Sequence, residues 1–419
     1  MTVTDSPRSE QEIPQTRADV MAMVRRIGAA AAPHAARHDR EASFTEEGYE
    51  AIKASGFGMI AVPKELGGGG HDLGTVCRAQ AILARYCANT SLAICMHQHN
   101  VLALAWRWRL GDQGVEQTLR RVVTENLIIS SSGSADPSNP GVIATPADGG
   151  LLVTGRKRFV SGVPGADVVA TMAAIDDGEQ RWTTTVLIPT SDPGLEIVPE
   201  WDSMGMRGSG SNPVAFTDVF VPDDNILDLE PIWSLPGRRS GQDSPPDDPA
   251  APPPDEALAQ LIDQGSSGAR LPGLQIALTV IAAVYLGAAG AMRDRALRMA
   301  ARGVNDPARQ HIAGLLTHEF RLAWWALDAL IAETTDEAVG TEAHFATTML
   351  AKRQVILSSI HIVELAMELL GSRSYMRSLP FEQALRDVRA GITHPLAPEK
   401  TLLEIGKSAL GFFADQPAR

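Results

Sequence analysis

Apolar and polar positions alternate along this chain with two different periods. From residue 17 to about 126 the apolar residues recur every three to four positions, which predicts helices. RADVMAMVRRIGAAAAPHAARHD reads as one helix, and FTEEGYEAIKASGFGMI as another that stops at Gly56. PKELGGGGHDLG reads as a loop, because four consecutive glycines cannot hold a helix. LGTVCRAQAILARYCANTSLAICMHQHNVLALAWRW then returns to helical spacing.

The texture changes near Leu127. LIISSSG, GLLVTGRKRFVSG, ADVVATMAAI, RWTTTVLIP, LEIVPEW and PVAFTDVFVP are short, β-branched and separated by Gly, Pro or Asp. Such segments predict an antiparallel β-barrel or sandwich of about 100 residues. SLPGRRSGQDSPPDDPAAPPPDEA is rich in Pro, Asp and Ser and reads as an unstructured surface insertion. Helical spacing resumes at Leu271. The segments beginning IALTVIAAVY, ARQHIAGLL, HFATTMLAK and PEKTLLEIG predict a four-helix bundle, with Asn305-Asp306-Pro307 starting the second and Gly371 ending the third. The expected class is α+β and multidomain. An N-terminal helical domain (1–126) precedes a β domain (127–230), a Pro/Asp-rich insertion (231–270) and a C-terminal four-helix bundle (271–419).

Composition narrows the function. Lys plus Arg is 37 against 50 Asp plus Glu, a formal charge of -13 with no basic block, which disfavours nucleic acid. The three cysteines, Cys77, Cys87 and Cys95, form no C-x-x-C pair and fit a reducing cytoplasm. The N-terminal segment lacks the apolar core of a secretory signal. Leu271 to Met292 is free of charge for roughly 22 residues, long enough for a bilayer. Its Ala and Gly content, its interruption by Gln275, Thr279 and Tyr285, and the expected lack of a second span favour a buried bundle helix instead.

Familiar chemical signatures are absent: there is no P-loop, no G-x-S-x-G elbow and no H-E-x-x-H. The E-x-x-H pairs of a di-iron bundle are missing too, and no metal site is expected. GMRGSG (205–210) precedes a strand rather than opening a helix, so it is not a dinucleotide fingerprint.

Several motifs, in order and spacing, resemble the acyl-CoA dehydrogenase superfamily across roughly residues 17–415. AVPKELGGGG is similar to its P-x-E-x-G-G-x-G segment, and TGRKRFVSG to the strand that lies against the flavin ring. MGMRGSGSNPVAFTDVFVP resembles its G-M-R-G-S…F-x-D-V-x-V-P strand pair, and LLGSRSYMRSLPFEQALRDVRAG its G-G-x-G-Y…R-D helix-turn-helix. The resemblance implies a flavin (FAD or FMN) between the β domain and the bundle, and a homodimer or homotetramer.

Dehydrogenases of the family remove an α-proton with a Glu shortly after the R-D turn, or with one on the first bundle helix. Here the first position aligns with Pro395 and the second with Ala277. The nearest acid, Glu399, lies a full turn later, and no Asp or Glu occurs from Leu271 to Met292. His394 follows the R-D turn instead. This is similar to the flavin monooxygenase branch of the superfamily, such as dibenzothiophene monooxygenase. That branch implies proton-handling roles for His394, for His97 or His99, and for Ser161. Imidazoles and a hydroxyl suit a peroxyflavin near neutral pH, whereas a carboxylate would repel it.

The resemblance also assigns Phe159 and Ser161 to the flavin ring, and Arg207, Arg302, Gly371 and Ser372 to its phosphate or nucleotide part. As residues alone, His97 and His99 fit helix packing, and His394 fits a helix C-terminal cap. Phe159 equally fits a core, Arg207 a pinned turn and Arg302 a solvated helix end. The family's R-x-x-F-G is missing after Arg302, and G-G-x-G-Y has become Gly371-Ser372-Arg373-Ser374-Tyr375. These departures suit a loosely held flavin supplied by a separate reductase. The leading expectation is a two-component monooxygenase that hydroxylates a small substrate through a flavin C4a-hydroperoxide. The alternatives are an FAD-dependent acyl-CoA dehydrogenase using Glu399, and a non-catalytic scaffold.

Overall fold

Thr16 opens the first helix through a capping box with Asp19, which satisfies two of the donors a helix start leaves unpaired. The computed structural model describes residues 13–132, 141–176, 181–231, 270–395 and 398–414. The first predicted helix is two, α1 (Arg17–Ala31) and α2 (Ala35–Glu41). Pro33 lies in the turn between them, and its ring nitrogen has no hydrogen to continue the ladder. Helix α3 (Glu46–Ser55) ends on Gly56 at φ 73, a left-handed conformation that glycine adopts without strain. The next stretch of helical spacing holds two helices, α4 (Leu73–Ala84) and α5 (Ala88–Arg109), separated by a turn at 85–87 across which the apolar spacing runs unbroken. Helix α6 (Glu116–Thr124) leads into the sheet.

The sheet has eight strands: β1 (Ile129–Ser132), β2 (Val142–Ala147), β3 (Gly150–Lys157), β4 (Val168–Asp176), β5 (Arg181–Pro189), β6 (Leu195–Ile197), β7 (Val214–Pro222) and β8 (Ile226–Pro231). Their order is β6-β7-β3-β2-β4-β5-β8, with β1 beside β4. Pairing is antiparallel except for β1 and β2 against β4. The path is open at β6 and β8, so the sheet is not a closed barrel. Strands β2 and β8 escaped the periodicity reading because Pro146 and the acids of the 223–230 stretch break the β-branched pattern. Alternation across β4 and β5 feeds two cores. Val169, Ala173, Ile175, Val186 and Ile188 join the sheet's own core. Val168, Ala170 and Leu187 join the helical one.

The C-terminal helices are α7 (Arg270–Ala300), α8 (Pro307–Glu333), α9 (Glu342–Leu370), α10 (Phe381–Arg389) and α11 (Pro398–Ala414). Asp306 caps α8 with Pro307 at its first position, and Gly371 ends α9. The sequence offered one helix with the length of a bilayer span, but two pass that test. They are Leu271–Gly303 and Glu342–Tyr375, with 89% and 50% of their apolar windows buried inside the fold. Residues 232–269, nearly all of the expected insertion, lie outside the described residues.

One apolar cluster runs through α1, α3, α4 and α5 into α7, α9 and α10, so the N-terminal helices and the bundle share a core. A polar joint fixes the sheet to both. Arg386 grips Asp39 bidentately at 3.0 and 2.7 Å and donates to Met204 O. Asp387 accepts from the backbone N–H of Met206 at 2.5 Å. A Cβ on Gly205 would stand 2.2 Å from the carbonyl oxygen of Arg386, so only glycine lets the 204–206 turn reach α10.

Candidate functional site

The segment after β3 turns sharply. Phe159 sits at φ 59, a conformation that non-glycine residues rarely hold, and its side chain is 53% exposed. Its ring meets Trp201 edge-on at 6.0 Å between centroids. Two residues on, Ser161 is buried, and its Oγ lies 2.8 Å from Ser211 Oγ, which lies 2.7 Å from Ser209 Oγ. Ser130 Oγ donates to the backbone oxygen of Ser161, and Ser131 pairs with Ser161 in an isolated β-bridge. An exposed aromatic face therefore borders a patch of hydroxyls drawn from three distant segments. That combination suits a planar ring with one polar edge.

Two α5 histidines approach this patch and differ in kind. His97 is fully buried. Its Nε2 donates to Gly58 O at 2.8 Å, and its Nδ1 accepts from the N–H of Ile129 at 3.0 Å. The backbone partners fix the tautomer and leave neither nitrogen free. Burial pushes its pKa down to about 4. Among the described residues, the hydrogen-bond partner of His99 is Ser131 Oγ, at 3.4 Å from Nε2. Burial, then the neighbouring His97, pushes it down to about 3.

His394 follows α10 and the turn at Ala390–Thr393. Its Nε2 lies 2.7 Å from the hydroxyl of Tyr285, a fully buried α7 residue. Its backbone oxygen accepts from Lys352 Nζ at 2.9 Å. Burial, then the positive charge of Lys352, pushes the imidazole down to about 4, so it is neutral at pH 7. Burial also lowers Lys352, to about 8, and raises Tyr285 well above its ordinary value. No hydrogen bond among the described residues links His394 to His97, His99 or Ser161.

The acids stand elsewhere. Glu399 is exposed on the first turn of α11, and Ala277 is a buried alanine of α7. Asp387 is buried, pushed up to about 7 chiefly by burial, and spent on Met206 N. Arg207 donates to Asp39 O at 2.7 Å, Asp202 Oδ1 at 2.6 Å and Ser203 O at 2.8 Å, so its guanidinium pins the turn that carries it. Arg302 is exposed beyond α7. Gly371, at φ 62, and Ser372 are exposed after α9, beside Tyr375, which is 80% exposed.

Tyr285, Lys352, Ser131, Ser211 and Trp201 were not singled out as site residues by the sequence. Two carried a signal. Tyr285 interrupts a charge-free run, and Lys352 falls on the helical face of Thr348, Met349, Val355, Ile356 and Ser359, all buried. A lysine on a buried face is unusual enough to mark itself.

Residues 14–122 match the acyl-CoA dehydrogenase N-terminal domain, and residues 130–219 match the middle domain. A Bacillus subtilis chain provisionally named acyl-CoA dehydrogenase YdbM is 25% identical, covering 90% of this chain and 92% of its own. The amino sugar nitrososynthase DnmZ of Streptomyces peucetius is 29% identical, covering 85% and 84%. The structure of KijD3 with FMN and dTDP-3-amino-2,3,6-trideoxy-4-keto-3-methyl-D-glucose superposes with a TM-score of 0.73. It is 27% identical and covers 97% of both chains.

Proposed function

This chain belongs to the acyl-CoA dehydrogenase superfamily of flavin-dependent oxidoreductases, and we propose that it is a monooxygenase that hydroxylates a small organic substrate. The observation that carries this reading is the environment of His394. The resemblance aligns the dehydrogenases' carboxylate with Pro395, and the residue before it, His394, is a neutral imidazole bonded to a tyrosine hydroxyl. Glu399 faces solvent and α7 holds no acid from Leu271 to Met292. Among the described residues no carboxylate bonds His394, and its neutral imidazole offers a nitrogen that can accept a hydrogen bond or a transient proton.

The exposed, strained Phe159 and the Ser161 hydroxyl fit a flavin ring. Bound there in reduced form, the flavin would supply oxygen activation. Phe159 would pack on the ring and Ser161 would meet its polar edge. His394 would hold the travelling proton at a ring nitrogen, with Tyr285 fixing the ring. His99 stands closer to the serine patch than to any structural duty, so it is the α5 histidine we assign to the site. FMN fits better than FAD, because Arg302, Gly371 and Ser372 lie exposed and the R-x-x-F-G motif is absent. An amine nitrogen is the acceptor we favour, since DnmZ is named for amino sugars and KijD3 binds one. A separate reductase would supply the reduced flavin. A homo-oligomer would cover Leu322 and Trp325, which are 38% and 60% exposed on α8.

The test pairs two reactions. Protein loaded with reduced FMN is exposed to ¹⁸O-labelled dioxygen and a panel of amino sugars and alkyl amines. Protein loaded with oxidised flavin is mixed anaerobically with acyl-CoAs. We expect label in a hydroxylated product and no bleaching by any acyl-CoA. Bleaching without label would restore the dehydrogenase.

A further inference from the structure

His394 is held from two sides by helices far from it in sequence. Tyr285 on α7 meets its ring, with 5.5 Å between centroids and the planes tilted by 56°, and bonds Nε2 at 2.7 Å. Lys352 on α9 bonds its backbone oxygen at 2.9 Å. Both side chains are almost wholly enclosed, Tyr285 at 0% and Lys352 at 3% exposure. Burying an ammonium is costly, and a Met or Leu would fill the same space without that cost. The lysine is therefore placed for its contact rather than for packing.

We propose that Tyr285 and Lys352 are positioning residues for His394: Tyr285 fixes the orientation and tautomer of the imidazole, and Lys352 anchors the backbone that carries it. Two bonds at two points remove the freedom that a residue after a short turn would otherwise keep. They also leave Nδ1 as the nitrogen without a hydrogen bond among the described residues. Burial, and after it the positive charge of Lys352, favours the neutral ring. Of the other charged groups on the elements packed against this turn, Arg386 is committed to Asp39 and Arg389 to Glu364. Asp387 is committed to Met206 N and acts electrostatically on Tyr285. The contacts stand on geometry alone; the use of the ring in oxygenation rests on the reading above.

The experiment uses Tyr285→Phe, Lys352→Met and Lys352→Arg in the full chain. Selective ¹⁵N-histidine labelling of flavin-free protein follows the His394 ring, identified by its loss in His394→Gln. Tyr285→Phe should replace one fixed tautomer by an average of two. Lys352→Met should raise the His394 titration midpoint by about half a unit or more, roughly a threefold gain in proton affinity, and Lys352→Arg should not. Hydrogen peroxide release from protein loaded with reduced FMN in aerated buffer should rise about tenfold in Tyr285→Phe and Lys352→Met, and return toward the parent rate in Lys352→Arg. Unchanged ring signals and midpoint in both Tyr285→Phe and Lys352→Met overturn the assignment. The isosteric Tyr285→Phe keeps the test decisive if Lys352→Met does not fold. Altered ring signals with unchanged peroxide release uphold the positioning and overturn the oxygenase reading.

Discussion

His97 on α5 and His394 after α10 share a depressed pKa, about 4 in each case, with burial as the leading cause. Their remaining bonding capacity differs. His97 spends both nitrogens on backbone groups, Gly58 O and Ile129 N, and so ties a loop to a strand. His394 spends one nitrogen on a hydroxyl and keeps the other. The comparison teaches that a shifted pKa marks burial. A free nitrogen beside that shift is what leaves His394 available for the chemistry we propose.

The strongest way to break this comparison is to remove each ring. His97→Ala leaves two buried backbone groups unpaired and should lower stability by about 3–5 kcal/mol, measured by urea unfolding. His394→Ala should cost about 1 kcal/mol, yet reduce product formation at least about a hundredfold. Equal stability losses would end the distinction.

Acidification tests what the rings share. His97, His99 and His394 have folded values of about 4, 3 and 4 against an ordinary 6.5, so the unfolded chain binds more protons between those limits. Their contribution is complete above pH 6.5 and is lost as pH falls toward 4. Asp387 opposes them. Raised from 3.8 to about 7, its contribution is complete below about pH 4 and is lost as pH rises through 7. Stability should therefore fall from pH 6.5 to 4.5, and fall more steeply in Asp387→Asn. A flat profile in that variant would contradict the buried, neutral state of the three rings.

A smaller effect sharpens the comparison at the flavin face. Phe159→Gly should weaken FMN binding about tenfold, read by flavin fluorescence, while stability stays level or rises by about 0.5–1 kcal/mol as the left-handed strain is relieved. Unchanged affinity would remove Phe159 from the site. The smallest effect belongs to Arg302→Ala. An exposed guanidinium at a helix end should change FMN affinity by less than about twofold.

Much of the architecture was legible in the residues because apolar spacing, caps and breakers act locally. Gly56, Asp306-Pro307 and Gly371 mark helix ends by rules that span a few residues. The division at Pro33 was legible too, and the apolar run simply overrode it. Strand β2, with Pro146 inside it, was hidden because its neighbours β3 and β4 supply the reason it pairs. At the site, His394 stood out by its place after Arg386-Asp387. The serine patch did not, since hydroxyls at 131, 161 and 211 meet only across the sheet.

The residues alone determined the kinds of element, their order, the imidazole after the turn and the lack of acid from Leu271 to Met292. Folding in three dimensions decided which histidine is closed and which keeps a free nitrogen. The reason is one of range. Hydrophobic periodicity is written in neighbours three or four apart, whereas hydrogen-bond capacity is spent on partners such as Gly58, 39 positions from His97, and Tyr285, 109 from His394.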